Sequence, residues 1–515
     1  MLPSASQQVV ALNEAREKAE AANNAKSEIL AVATHDLKNP LSALSGMAAA
    51  IALDRAGIDD FCLLEKAGDV GGTWRDNQYP GACCDVPSHL YCFSYEPNPD
   101  WTRRFAPARE IHAYQRHVMH AYDLCDRCRG GFDVASARWD GGGWTVTSRQ
   151  GESLRARFLV SAVGALHLPH KPDLPGLDRF EGRVMHSAEW DPDYDWRDKH
   201  VVVVGSAASA VQIVPKLAES AARVSVLQRS PNWILPRRDR AYGAFERELL
   251  CQLPFLQKLY RWRQYQFNDL LFRANFSRRA SLRKAYAHRL ARRHLERSVT
   301  DPELRSQLTP DYPVGCKRVL LSDDYLPALQ RKNVDLVSDG IDGFTPSGLE
   351  TTDGRSIEAD LVVLATGFRT TRLFGEMAIE GPGGLTIEEA WAGGIRAHRS
   401  VAIKDFPNLF MMYGPNSNLG HSSILVMLEA QAGYLARLLR HATDRGAGRI
   451  TVRPEAEAEW NRYIRDGLAE TVWTADCRSW YKDAAGRIFS LWPYSTRHFE
   501  RDLRSAPLDE YTFSS

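Results

Sequence analysis

Residues 201–204 are four consecutive valines, and the next six, Gly205-Ser206-Ala207-Ala208-Ser209-Ala210, are all small. So short and β-branched a run reads as a buried parallel strand. Val211, Ile213, Val214 and Leu217 continue as an apolar helical pattern. Strand, small-residue turn and helix are what a dinucleotide pyrophosphate needs. The backbone must approach the anion closely, and the helix N-terminus must point at it. Ala207 replaces the middle glycine of the G-x-G-x-x-G spacing, so the approach is slightly less close. Val224, Val226 and Leu227 predict the next strand, with Arg229 beyond its end. An arginine rather than an acid there suits an adenosine 2′-phosphate and favours NADPH over NADH.

The segment just upstream reads Phe180-x-Gly182-x-x-x-His186-x-x-x-Trp190-Asp191. This spacing resembles the motif that marks Baeyer–Villiger monooxygenases and their class B flavoprotein relatives. The resemblance continues from Gly46 to about Tyr494. It implies a two-dinucleotide-binding α/β fold, an FAD domain split in sequence around an NADPH domain. It also implies a reaction: hydride passes from NADPH to FAD, and O2 adds to the reduced flavin as a C4a-peroxide. One oxygen then enters a ketone or oxidises a heteroatom. His186 and Trp190 would couple movement of the NADPH domain to that chemistry; the plainer reading is that they pack between domains.

By the same resemblance, Gly46 opens an FAD-binding unit, and Glu65 ends its second strand, where ribose hydroxyls need a fixed acceptor. Gly71-Gly72-Thr73-Trp74 and Tyr79-Pro80-Gly81 up to Asp85 look like the loops over the flavin ring. Lys317-Arg318 matches a paired motif in which Lys317 assists at the 2′-phosphate. Arg318 holds the charge of the flavin peroxide, a task suited to a permanent cation with a directional fork. Asp85 is the acid expected to meet Arg318. Ala365-Thr366-Gly367 closes an apolar strand at a domain junction, and the turn around Asn416 should face the isoalloxazine.

The first residues read differently. Asn13–Leu44 is rich in Ala, Glu and Lys, and Ala15, Ala19, Ala22, Ala25, Ile29 and Val32 step by three or four, predicting a helix. His35-Asp36-Leu37-Lys38-Asn39-Pro40-Leu41 resembles the phosphoacceptor box of two-component histidine kinases, which implies His35 as acceptor and a dimerising helix. Counting back from Gly46 places the two earlier glycines of the FAD fingerprint at Leu41 and Ala43. The first FAD strand therefore reads as missing, displaced by a helical graft. The expected domains are 1–45 (phosphoacceptor helix), 46–190 (FAD, first part), 191–345 (NADPH, with a helical insertion at about 242–310) and 346–515 (FAD, second part). Two alternatives stay open: a phosphate-receiving, dimerising protein with the flavoprotein part as sensor, or an inert flavoprotein.

The chain of 515 residues carries a net charge of +1, which gives no overall electrostatic reason to expect nucleic acid or an anionic membrane as partner. Residues 242–299 are basic and aromatic; solvated helix faces account for that pattern more simply than nucleic acid does. No apolar run reaches about 18 residues, and the amino terminus has no apolar leader core. Nine scattered cysteines predict reduced thiols and a cytoplasmic protein. Cys125-x-x-Cys128 has no second pair at zinc spacing, so no metal is expected. The expected partners are FAD, NADPH, O2 and a small ketone or heteroatom substrate, with a homodimer through the N-terminal helix.

Overall fold

The computed structural model describes residues 30–34, 42–164, 166–278, 282–477 and 479–515; for 30–34, 42, 271–275 and 283 it describes the backbone alone. Short apolar runs ended by small residues form two five-stranded parallel sheets. One runs Leu409–Met411, Phe158–Ser161, Leu30–Thr34, Cys62–Glu65, Cys128–Arg129. The other runs Val334–Val337, Arg223–Leu227, His200–Val204, Leu361–Leu364, Arg183–His186. Phe158–Ser161 and Leu361–Leu364 are buried along their whole length, as strands covered on both faces must be. The chain leaves the first sheet, builds the second, and returns to the first through Leu409–Met411. The flavin-side domain is thus split around the other.

The missing strand is present. Leu30–Thr34 pairs in parallel with Cys62–Glu65 on one side (Ala31 to Cys62, Thr34 to Glu65) and with Phe158–Ser161 on the other (Leu30 to Phe158, Ala33 to Ser161). The sequence expectation of a helix through Val32, and of a flavin domain starting at Gly46, is corrected. Four apolar residues and a threonine fit a period of 2 or of 3.6 about equally. The sheet decides between them, because its two neighbouring strands offer backbone groups that only a central strand satisfies.

Gly46 lies inside the Ser42–Arg55 helix, as Ala210, at the third position of the second fingerprint, lies inside Ala208–Leu217. The strand-to-helix connection is seven residues here, 35–41, against three, 205–207, in the second sheet. His35 and its box lie outside the described residues, as do 1–29. The Ser42–Arg55 helix is small-residue-rich: Ala43, Ala48, Ala49 and Ala50 are buried, and it packs against Ile424–Asp444.

The expectation of wholly reduced thiols is also corrected. Cys316 and Cys477 form a disulfide across 161 residues, and the other seven cysteines are free, Cys125 and Cys128 among them. Cys316 lies on the segment leading to Lys317-Arg318, while Cys477 lies in the C-terminal part of the flavin-side domain. The pairing needs the fold, not a sequence spacing. Among the described residues no His, Cys, Asp and Glu cluster could hold a metal ion.

If Leu30–Thr34 is a central strand, Val32→Pro removes a ladder donor where no strand tolerates it. The expected result is an unfolding midpoint lowered by roughly 5 °C or more, read by thermal melting. An unchanged midpoint would place this segment outside the sheet.

Candidate active site

Parallel strands present their carboxyl ends to a ligand crevice, and here both sheets do so. On the second sheet, Gly205 has φ +115°, and a Cβ there would lie 2.5 Å from the Ala365 carbonyl oxygen. Only glycine fits between the two strand ends. Ala207 caps the next helix without a side-chain bond, and no acid occupies the first turn, so the helix N–H groups remain available to an anion. Ser206 is buried, and its hydroxyl faces the Ser230 carbonyl at 3.4 Å. Ala210 is fully buried, in the place of the third glycine.

Arg229, just past the Arg223–Leu227 strand, meets Lys317. Lys317 Nζ donates to Ser230 Oγ at 3.0 Å and sits 4.3 Å from the Tyr312 ring centre. Burial, and then the neighbouring charge of Arg229, push the Lys317 pKa down. The two cations repel each other; Asp311 offsets part of that on Lys317, and an added anion would relieve more. That arrangement fits a 2′-phosphate.

The next residue carries the strongest ion pair of the cleft. Arg318 Nη2 and Nε donate to the same Asp85 oxygen, at 2.5 and 3.1 Å, across 233 residues of sequence. Burial alone would raise the Asp85 pKa. Arg318, followed by Arg237, more than reverses this and holds it below the usual carboxylate value. Asp85 in turn raises Arg318. Both side chains are surrounded by protein yet keep about a third of their surface accessible, 31% for Asp85 and 34% for Arg318. Tyr413 and Tyr481 are buried close enough to feel the Arg318 charge, and burial drives Tyr481 up to about 12. Arg237 donates to the Cys84 carbonyl at 2.9 Å and so secures the loop carrying Asp85. The sequence reading missed Arg237, Tyr413 and Tyr481. Tyr413 directly precedes the Gly414-Pro415-Asn416 turn, the one clue available; no spacing marks the other two.

On the flavin side, Glu65 ends its strand at 1% exposure, and burial raises its carboxyl pKa to about 8 against a donated Ala67 N–H at 2.9 Å. Arg75 Nη1 also reaches Glu65 Oε1 at 3.5 Å, and a ribose hydroxyl is a donor that the same carboxyl can accept. Gly72 (φ +59°) turns the chain into Thr73–Asp76. Thr73 Oγ1 is buried without a hydrogen-bond partner among the described residues. Trp74 Nε1 donates to the Tyr91 hydroxyl at 3.2 Å. Tyr79 donates to Gln212 Oε1 at 3.0 Å, and Gln212 Nε2 donates to the Cys83 carbonyl at 3.0 Å, which docks the 79–85 loop on the second domain.

Ala365 N–H donates to Val204 at 2.9 Å, and Thr366 Oγ1 donates to the His170 carbonyl. Asn416 has φ +59° and is held by Phe489 and Leu491 carbonyls at 2.9 and 3.1 Å. Gly46 is within a helix, so it does not shape a turn.

His186 and Trp190 part company. His186 is buried; its Nδ1 accepts from Ala188 N–H and its Nε2 donates to the Gly367 carbonyl, both at 3.1 Å. It thereby ties the Phe180–Asp191 segment to the domain junction. The short helix after it, Ser187–Glu189, packs on Thr73–Asp76 of the other domain. Trp190 instead belongs to the core of the second domain, edge-on to Trp196 at 5.8 Å.

Known proteins show the same arrangement. Residues 45–243 match the family model described as pyridine nucleotide-disulphide oxidoreductase. A Baeyer–Villiger monooxygenase of Streptomyces coelicolor is 43% identical over 475 residues, 91% of each chain. One of Pseudomonas aeruginosa is 38% identical over 471 residues, 91% of this chain and 89% of its own. An oxidised steroid monooxygenase bound to NADP superposes with a TM-score of 0.82 at 28% identity, covering 95% of this chain and 99% of that one. Motif, split double-nucleotide fold and the extent of these likenesses converge: the chain belongs to the Baeyer–Villiger monooxygenase family of flavoproteins.

Proposed function

We propose that the protein is an FAD- and NADPH-dependent monooxygenase that places one oxygen atom of O2 into a ketone or on a soft heteroatom. The observation that carries this reading is the Asp85–Arg318 pair in the space between two nucleotide folds, adjacent to the Arg229–Lys317 cation pair. Bound FAD, reduced by NADPH, supplies the electrons and the activation of O2. The chain's own residues bind, orient and hold charge. The NADPH domain is assigned about residues 180–365, whose strands from Arg183–His186 to Leu361–Leu364 make the second sheet, and the FAD domain the stretches on either side, rather than a boundary at 190 and 346.

Glu65 would accept the adenosine ribose hydroxyls, and the Gly71–Trp74 loop with the buried Thr73 hydroxyl would hold the flavin. Gly205, Ser206 and Ala207 admit the NADPH pyrophosphate to the helix start, and Arg229 with Lys317 takes the 2′-phosphate. Arg318 presents a permanent cation to negative charge developing on oxygen in the cleft. Its fork is preset by Asp85, so little reorganisation is needed when that charge appears. Asp85 is thus a positioning residue. His186 links the motif segment to Gly367, and Trp190 stiffens the domain that moves with it. The phosphoacceptor reading has no described residue to support it: His35 lies outside the described region, and Leu30–Thr34 and Ser42–Arg55 belong to the flavin-side domain.

The reading is tested by NADPH-dependent conversion of a ketone panel under 18O2, with one labelled oxygen expected in the ester product. Arg318→Met should lower product formation by about 100-fold or more while bound flavin is retained. Unchanged product formation in that variant would remove Arg318 from the chemistry. For Lys317→Ala, KM for NADPH should rise about ten-fold with little change for NADH. An equal effect on both cofactors would contradict the 2′-phosphate assignment.

A further inference from the structure

The inserted helices are built inside out. Pro254–Phe276 places Gln257, Arg261, Tyr265 and Asp269, spaced by four, against the protein. Gln257 donates to the Asn98 carbonyl at 2.6 Å. Arg261 Nη1 donates to the carbonyls of His89, Leu90 and Cys92 at 3.2, 3.1 and 2.8 Å. Tyr265 donates to Glu500, and Asp269 accepts the Thr496 N–H at 2.8 Å. The opposite face carries Phe255, Leu259, Trp262, Phe267 and Leu270, each at least half exposed, with Lys258 and Arg263 among them. A helix on a water-facing surface normally has the reverse polarity.

The feature is regional. All nine exposed large apolar side chains among the described residues fall between Phe245 and Tyr286, and Leu282 is 92% exposed. The neighbouring helices Ala244–Gln252 and Leu282–Ser298 pack on this one and extend the same surface. Residues 254–298 hold twelve Lys or Arg and two Asp or Glu, in a chain whose net charge is +1. The whole-chain balance that argues against an anionic surface averages over this local excess.

We propose that this face docks on the surface of an anionic lipid bilayer, with Phe255, Leu259, Trp262, Phe267 and Leu270 in the headgroup–acyl boundary. Lys258, Arg263 and the exposed arginines Arg289, Arg292 and Arg293 lie against lipid phosphates. Aromatic and leucine side chains on one helix face, interleaved with and flanked by cations, are the composition of an interfacial helix. A second copy of this chain fits less well, because a twofold interface sets this basic surface, twelve Lys or Arg against two acids, on an equally basic one. Among the described residues no helix is long and apolar enough to cross a membrane, so the association is peripheral.

Full-length protein is sedimented with vesicles of phosphatidylcholine alone or with about 30% phosphatidylglycerol. Binding is expected to the anionic vesicles, to fall in about 0.5 M NaCl, and to weaken at least about ten-fold in both Trp262→Ser/Phe267→Ser and Lys258→Glu/Arg263→Glu. The charge-reversed variant alters only exposed cations, so it keeps the test valid should the apolar variant fold poorly. Equal melting temperatures show intact folds and separate this result from any failure of the oxygenase reading. No sedimentation with anionic vesicles overturns the proposal. So does a dimer in light scattering that dissociates in these variants without vesicle binding.

Discussion

A parallel sheet cannot lack a central strand, because each interior strand satisfies the backbone of a neighbour on either side. In the flavin-side sheet that strand is Leu30–Thr34, joined to Cys62–Glu65 and to Phe158–Ser161. Everything else in the domain follows from filling that place. The carboxyl ends of the three strands come level at Thr34, Glu65 and Ser161 and define where a nucleotide meets the sheet. The Ser42–Arg55 helix can then lie over the sheet against Ile424–Asp444. The unusual feature is the connection of seven residues where the sister domain uses three.

The two domains are held in register by contacts that converge on one segment. Gln212 grips the 79–85 loop through its side-chain amide, and Arg237 holds the Cys84 carbonyl. The Cys316–Cys477 disulfide pins the residues just before Lys317 and Arg318 to the part of the flavin-side domain that carries Tyr481. Arg318 therefore reaches Asp85 from a backbone fixed on both sides. An ion pair buried in a cleft stabilises weakly on its own account. Its value here is orientation: the guanidinium is aimed before any substrate arrives.

The sequence was most legible where local pattern and function coincide. Four valines and six small residues marked the second nucleotide fold, and Arg229 was legible as the candidate for its phosphate. Asp85 and Arg318, 233 residues apart, were paired by family resemblance; no spacing could have paired them. Leu30–Thr34 was misread because five residues, four of them apolar, carry too little periodicity to separate helix from strand, and the glycines that would have fixed the register are replaced. The disulfide and the buried Tyr481 had no signal, since both arise from the C-terminal segment folding back across the cleft. For Trp190 the motif was visible while its role was not: the side chain packs in a core. The basic, aromatic insertion was noticed as composition, but which face of its helix turns outward is a property of the fold.

The central claim is that a strand drawn from the N-terminal segment completes a flavin-binding domain despite the lost glycines. The visible absorption spectrum of the purified full-length chain tests it most directly. A flavin spectrum near one FAD per chain, bleached by NADPH and restored in air, is the predicted result. A colourless protein that takes up no added FAD would contradict it.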